Sequence, residues 1–295
     1  MNNDKSIALT VLALTLFSQH AVANSYDDVW RHAILHEADS GTIRSFALSG
    51  RLQADASDFD ADEGDFEDVS WRRFRFGFTA KFSGDWKATI EGDFDLKESS
   101  GDWYSRLTDA GLSWNPDDSR ELRILKHSAG FTLDGATSSK KLLTLQRNNL
   151  TNNLWFTAEY FTGISMKGDL ANQWNYRVGI FSSDGNEEWS KFDASYFTLT
   201  SIGYDWGKAL NQDRASLRLD YVYNDRDANA NTRDLSNVLT LSGKWEDGDW
   251  GVWTDIGVGR GYFAQPDLAG LSVMPFYRLS ELLQFVLRYT WIDSD

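Results

Sequence analysis

The stretch WRRFRFGFTAKF, Trp71 to Phe82, places aromatics and cations at alternate positions. A β-strand points successive side chains to opposite faces. Phe74, Phe76, Phe78, Ala80 and Phe82 therefore share one face, and Arg73, Arg75, Gly77, Thr79 and Lys81 share the other. Arg72 is the one charge among the even positions, where a long side chain can snorkel as the strand leaves an interface.

The same alternation recurs. Trp86, Ala88, Ile90, Gly92 and Phe94 alternate with Lys87, Thr89, Glu91, Asp93 and Asp95. Leu217, Leu219, Tyr221 and Tyr223 alternate with Ser216, Arg218, Asp220 and Asn224. Leu283, Phe285, Leu287, Tyr289 and Trp291 alternate with polar positions that include Arg288. Period-two segments of about ten residues separated by turn residues are the mark of a transmembrane antiparallel β-barrel. A soluble β-sandwich also alternates, but its strands run nearer five or six residues.

Thirteen strands are expected, at 43–54, 70–82, 86–97, 105–114, 120–127, 157–168, 174–182, 196–206, 214–224, 236–246, 249–260, 272–279 and 282–293. Links between them alternate long and short, as periplasmic turns and outer loops do. An odd count leaves an open edge, which lipid does not tolerate. The expectation is a chain that lacks about three C-terminal strands of a barrel of about sixteen. Three prolines suit strands that need every N–H, and 13 tryptophans suit bilayer interfaces.

Residues 1–23 read as a cleaved signal peptide: Lys5, an apolar run from Ile7 to Phe17, and Ala21-Val22-Ala23 as the cleavage pattern. Residues 24–42 read as a short periplasmic segment and 43–295 as the barrel. The chain has no cysteine and a net charge of −15, which argues against nucleic acid as a partner. No catalytic constellation stands out. His32, His36 and Glu37 have helical metal-ligand spacing, but they precede the first expected strand. Neither a metal nor a cofactor is expected.

Several short segments, taken in order, resemble the phosphate-selective porin O and P family. They are Phe46-Ala47-Leu48-Ser49-Gly50-Arg51-Leu52-Gln53, Arg72-Arg73-Phe74-Arg75-Phe76-Gly77-Phe78, Arg106-Leu107-Thr108-Asp109-Ala110 and Leu122-Arg123-Ile124-Leu125-Lys126. Thr137-Ser138-Ser139-Lys140-Lys141, with Gln146-Arg147 downstream, and Tyr176-Arg177-Val178-Gly179-Ile180-Phe181 follow. The resemblance implies a 16-stranded, usually trimeric outer-membrane channel with a cationic lumen that passes phosphate or polyphosphate.

Parity assigns Arg51, Arg73, Arg75, Lys81, Lys87, Arg123, Arg177, Arg218 and Arg288 to the lumen. Guanidinium groups stay charged and present a planar fork to phosphate oxygens. Each could instead pair with a lumenal carboxylate such as Glu91, Asp93, Asp95, Asp109 or Asp220. The 128–156 link is the longest, and Lys140, Lys141 and Arg147 mark it as the expected constriction. Lys126 falls on the lipid face by strict parity, so either it sits at the rim or a bulge shifts the register.

Acidic residues gather in the 55–69 link, including Asp55, Asp58, Glu67 and Asp68, and around Asp184 and Glu188. They read as solvated loops, or as carboxylates that hold divalent cations against lipopolysaccharide. The remaining readings are a general or cation-preferring pore of this fold, and a non-conducting surface adhesin.

Overall fold

The computed structural model of the protein describes residues 33–59, 64, 66–96, 103–139, 141–154, 160–184, 188–281 and 283–294. The expected signal peptide at 1–23, His32 and Lys140 lie outside them.

Among the described residues fifteen strands form one sheet. They are β1 (Ile34–Glu37), β2 (Ile43–Phe59), β3 (Phe66–Phe82), β4 (Trp86–Phe94), β5 (Tyr104–Asp117) and β6 (Arg120–Ser128). Then come β7 (Tyr160–Asp169), β8 (Trp174–Ser182), β9 (Tyr196–Asp205), β10 (Arg214–Asn224) and β11 (Leu235–Asp247). The last four are β12 (Trp250–Gly261), β13 (Leu268–Arg278), β14 (Gln284–Val286) and β15 (Tyr289–Ser294). Each strand pairs antiparallel with its neighbour in sequence as far as β14, and β15 also pairs with β13. Among the described residues no ladder joins β1 to β14 or β15.

Two strands exceed the expected thirteen. Strand β1 is only four residues long, too short for alternation to reveal. The last expected strand is split into β14 and β15 opposite Pro275, which has no N–H to donate to the ladder. The β2–β3 hairpin also runs further than expected, to the pair Phe59↔Phe66. Asp55, Asp58, Glu67 and Asp68 are therefore strand residues rather than loop residues.

That extension depends on one extra residue. Gln53 pairs with Arg73 and Ala54 with Trp71, which leaves Arg72 unmatched. A β-bulge of this kind flips parity beyond it. Trp71 is exposed on the outer face, and Arg72 turns to Asp55, with Nη1 3.4 Å from Oδ2. The snorkelling position expected for Arg72 is thus replaced by an ion pair at a bulge.

The outer face is apolar and aromatic. Phe46 stacks on Phe78, and Phe74 lies beside Phe94. Near the short turns, Trp86 stacks on Trp114, Trp174 meets Tyr204, and Trp250 meets Tyr277. These pairs form the aromatic girdle of a bilayer-facing wall. Among the described residues no helix is long and apolar enough to cross a membrane.

The 129–154 segment folds inward rather than outward. Ala129, Phe131, Leu150 and Leu154 pack against Phe161, Phe181, Phe197, Leu199 and Val222 of the inner wall. Helix α1 (Asn149–Leu154) starts at Asn148, whose Oδ1 accepts the Thr151 N–H at 2.8 Å. Its leucines reach the wall because two facing positions are glycine. A Cβ at Gly257 would stand 2.2 Å from Leu154 Cδ1, and one at Gly270 would stand 2.5 Å from Leu150 Cδ1. A second cluster joins Leu133 to Trp253, Met274 and Phe276. Each such buried side chain stabilises the insertion by about 1.5–3 kcal/mol.

Candidate functional site

The inserted segment divides the interior. Against β7 to β13 it makes an apolar core, and on the β2 to β8 side it leaves a polar cavity of about 350 Å³. Seven basic side chains line that cavity: Arg51, Arg73, Arg75, Arg123, Arg147, Lys167 and Arg177. Three carboxylates join them, Glu91, Asp109 and Glu121. The lining is net positive in a chain whose total charge is −15. A second cavity toward the short turns shares Glu121, Lys167 and Arg177 with the first and adds Arg120, Arg218, Asp118 and Asp169.

Register explains the grouping. Arg51 pairs with Arg75 across β2 and β3, and Arg75 pairs with Asp93 across β3 and β4. Arg75 is 4% exposed and holds Asp93 with two parallel bonds of 3.1 Å, Nε to Oδ1 and Nη2 to Oδ2. It also donates to Tyr160 Oη and lies over that ring. Arg73 donates to Gln53 Oε1 at 2.7 Å, and Arg51 donates to Ser139 Oγ of the inserted segment. Neither Arg51 nor Arg73 forms an ion pair among the described residues, and Arg51 Nε is buried with no acceptor.

Other inward-facing cations hold the wall together. Arg123 Nη2 donates to Asp109 at 2.7 Å, and Lys167 Nζ to Glu121 at 2.6 Å. Arg177 and Arg218 fasten the inserted segment. Arg177 Nη1 donates to the Gly130 carbonyl, and Arg218 Nη2 to Thr132 O at 2.7 Å. Arg218 is itself braced by Asp220, whose Oδ2 accepts the Thr132 N–H at 3.1 Å.

Lys81 and Lys87 face one another in register near the short-turn end and do not line the cavity. Arg288 lies at the β14–β15 break, where it donates to Thr144 Oγ1 and Gln146 O at 2.9 and 2.7 Å. Of the expected constriction residues, Arg147 lines the cavity, with its guanidinium donating to Asp134 O and Thr137 O at 2.9 and 3.2 Å. Lys141 is exposed and away from it. Burial pushes the Asp134 carboxyl above its ordinary pKa, opposed by the Asn148 N–H and side-chain amide that donate to it. Lys126 keeps its outward parity at the rim, buried, with Nζ donating to Glu188 O at 3.0 Å.

Tyr160, Lys167 and Asp255 were not among the expected site residues. Parity alone marks Lys167 and Asp255 as inward, since each shares a face with lumenal neighbours and stands opposite an apolar set. Nothing local marks Asp255 as the acceptor for Leu133 N–H, because the two lie 122 positions apart.

The outer-membrane channel DcaP of Acinetobacter baumannii has a similar structure, with a TM-score of 0.56 at 14% identity over 88% of this chain and 81% of that one. A mutant porin from Rh. blastica aligns with a TM-score of 0.40 and 11% identity over 84% of this chain and 98% of that one. No curated protein matches the sequence. The family model for phosphate-selective porin O and P matches residues 46–248. That match spans more than half of the chain, so the protein belongs to the phosphate-selective porin O and P family and is an outer-membrane channel.

Proposed function

We propose that the channel passes small anions such as phosphate or polyphosphate, by diffusion through the cavity beneath the inserted segment. One observation carries this reading: among the described residues Arg51 and Arg73 line that cavity without a carboxylate partner, and Arg51 Nε has no acceptor. An anion arriving there replaces part of its hydration with guanidinium donors, and several weak sites in series let it leave again. Arg123, Lys167 and Arg177 extend the cationic path toward the short turns, which in this reading face the periplasm after signal-peptide removal. Lys81 and Lys87 then give the exit a positive field, and Lys140, Lys141, Arg147 and Arg288 belong to the segment that narrows the pore or to its anchor. The assembly is a homotrimer set in outer-membrane lipid and lipopolysaccharide.

A general or cation-preferring pore is the second reading, because Asp93, Asp109 and Glu121 neutralise Arg75, Arg123 and Lys167 at close range. Single channels in a planar bilayer under a KCl gradient separate the two. A zero-current potential set by chloride supports the anion reading, and one set by potassium overturns it. Absence of conductance favours a surface adhesin.

A further inference from the structure

The charges around the cavity are not mixed at random. Arg51 and Arg73 stand on β2 and β3, while Glu91 and Asp109 stand opposite one another on β4 and β5. Like charges placed directly opposite in a ladder repel, so the Glu91–Asp109 pairing is unfavourable unless a cation lies against it. Arg123 answers Asp109 at 2.7 Å, but the nearest cation to Glu91 is Arg75 Nη1 at 4.0 Å, and Arg75 is already committed to Asp93 and Tyr160. Among the described carboxylates that line the cavity, Glu91 is thus the one held least closely by a cation, and Arg51 and Arg73 are lining cations with no ion pair.

We propose that this cavity takes short solutes carrying both an anionic group and a protonated amine, the anion at Arg51 and Arg73 and the ammonium at Glu91 beside Asp109. The proposal rests on the channel reading given above and narrows its substrate class. Strands two apart along a sheet are separated by roughly 10 Å, and long side chains pointing into a barrel converge. Arg51 on β2 and Glu91 on β4 are two strands apart, so these two groups are spaced on the scale of a small zwitterion. A simple anion meets the arginines but is repelled by Glu91, and a simple amine meets the reverse.

Proteoliposome entry of three matched solutes tests this: butyrate, 4-aminobutyrate and butylammonium. The expected order has 4-aminobutyrate entering about two- to threefold faster than either, the scale of one weak solvent-screened ion pair. Glu91→Gln keeps a side chain able to bond Thr108, and is expected to abolish the advantage while butyrate entry rises. The Arg51→Gln, Arg73→Gln double variant is expected to slow butyrate and 4-aminobutyrate together. Equal entry of butyrate and 4-aminobutyrate in the native channel overturns the zwitterion proposal and leaves the channel reading standing. So does an unchanged ratio in Glu91→Gln channels that still conduct. Failure of all three solutes to enter overturns both.

Discussion

Asp255 Oδ2, on the inner wall of β12, accepts the backbone N–H of Leu133 at 2.9 Å. Its other oxygen accepts from Ser242 Oγ at 2.9 Å, and the side chain is fully buried. The contact is one of the points where the wall grips the inserted segment by its main chain. Asp255→Ala leaves the Leu133 N–H and the Ser242 hydroxyl unsatisfied, at about 1–3 kcal/mol for each buried group. We expect a lower unfolding midpoint in detergent and noisier single-channel currents with a larger mean conductance. Currents identical to the native channel would show that the segment is held without this bond.

Arg73 and Arg75 are two residues apart and are expected to behave differently. Arg73→Ala removes a charge that only Gln53 holds, at little cost to the fold. A unit charge about 4 Å from an ion is worth about 1 kcal/mol in a water-like medium, so anion permeability should fall about fivefold, and the anion-to-cation ratio at least as much. Arg75→Ala strands Asp93 against the wall, and breaking such a pair costs about 3–5 kcal/mol. Urea unfolding in detergent should register the second change and hardly the first.

The fit of α1 against glycine predicts a coupled pair. Leu154→Ala leaves a cavity and should cost about 2–5 kcal/mol. Gly257→Ala drives a methyl into Leu154 and should cost about 1–3 kcal/mol. Together the new methyl enters the space the leucine left. The double variant should therefore be more stable than the sum of the single losses, by about 0.5–3 kcal/mol in a double-mutant cycle.

Selectivity that rests on fixed charges in a wet cavity weakens with salt. The screening length falls from roughly 10 Å at 0.1 M to 3 Å at 1 M. Zero-current potentials measured at one fixed KCl ratio should move toward zero as the mean concentration rises over that range. A selectivity set by pore width alone would show no such drift.

Strand positions were legible in the sequence because alternation is local: β4, β8 and β10 begin where the period-two pattern begins. Parity also placed Arg51, Arg75, Arg123 and Arg218 on the inner face. It failed at Arg72, where one unmatched residue inverts the pattern, and no side-chain type announces a bulge. It gave no sign that Phe161, Phe181, Phe197 and Leu199 form a core inside the barrel, because apolar inward residues read as strand noise until the segment that covers them is known. The division of the arginines into wall braces, loop anchors and unpaired cations depends on contacts between residues tens of positions apart, such as Arg177 with Gly130 and Arg51 with Ser139.

The inward fold of the 129–154 segment has a consequence for how this channel tolerates change. By packing an apolar core against β7 to β13, it sets the larger cluster of basic side chains to one side, beside β2 to β8. We expect substitutions among the cavity-lining cations to change which solutes cross, and substitutions in the apolar core to change how firmly the partition stands. A channel laid out in this way can change its diet without renegotiating its architecture.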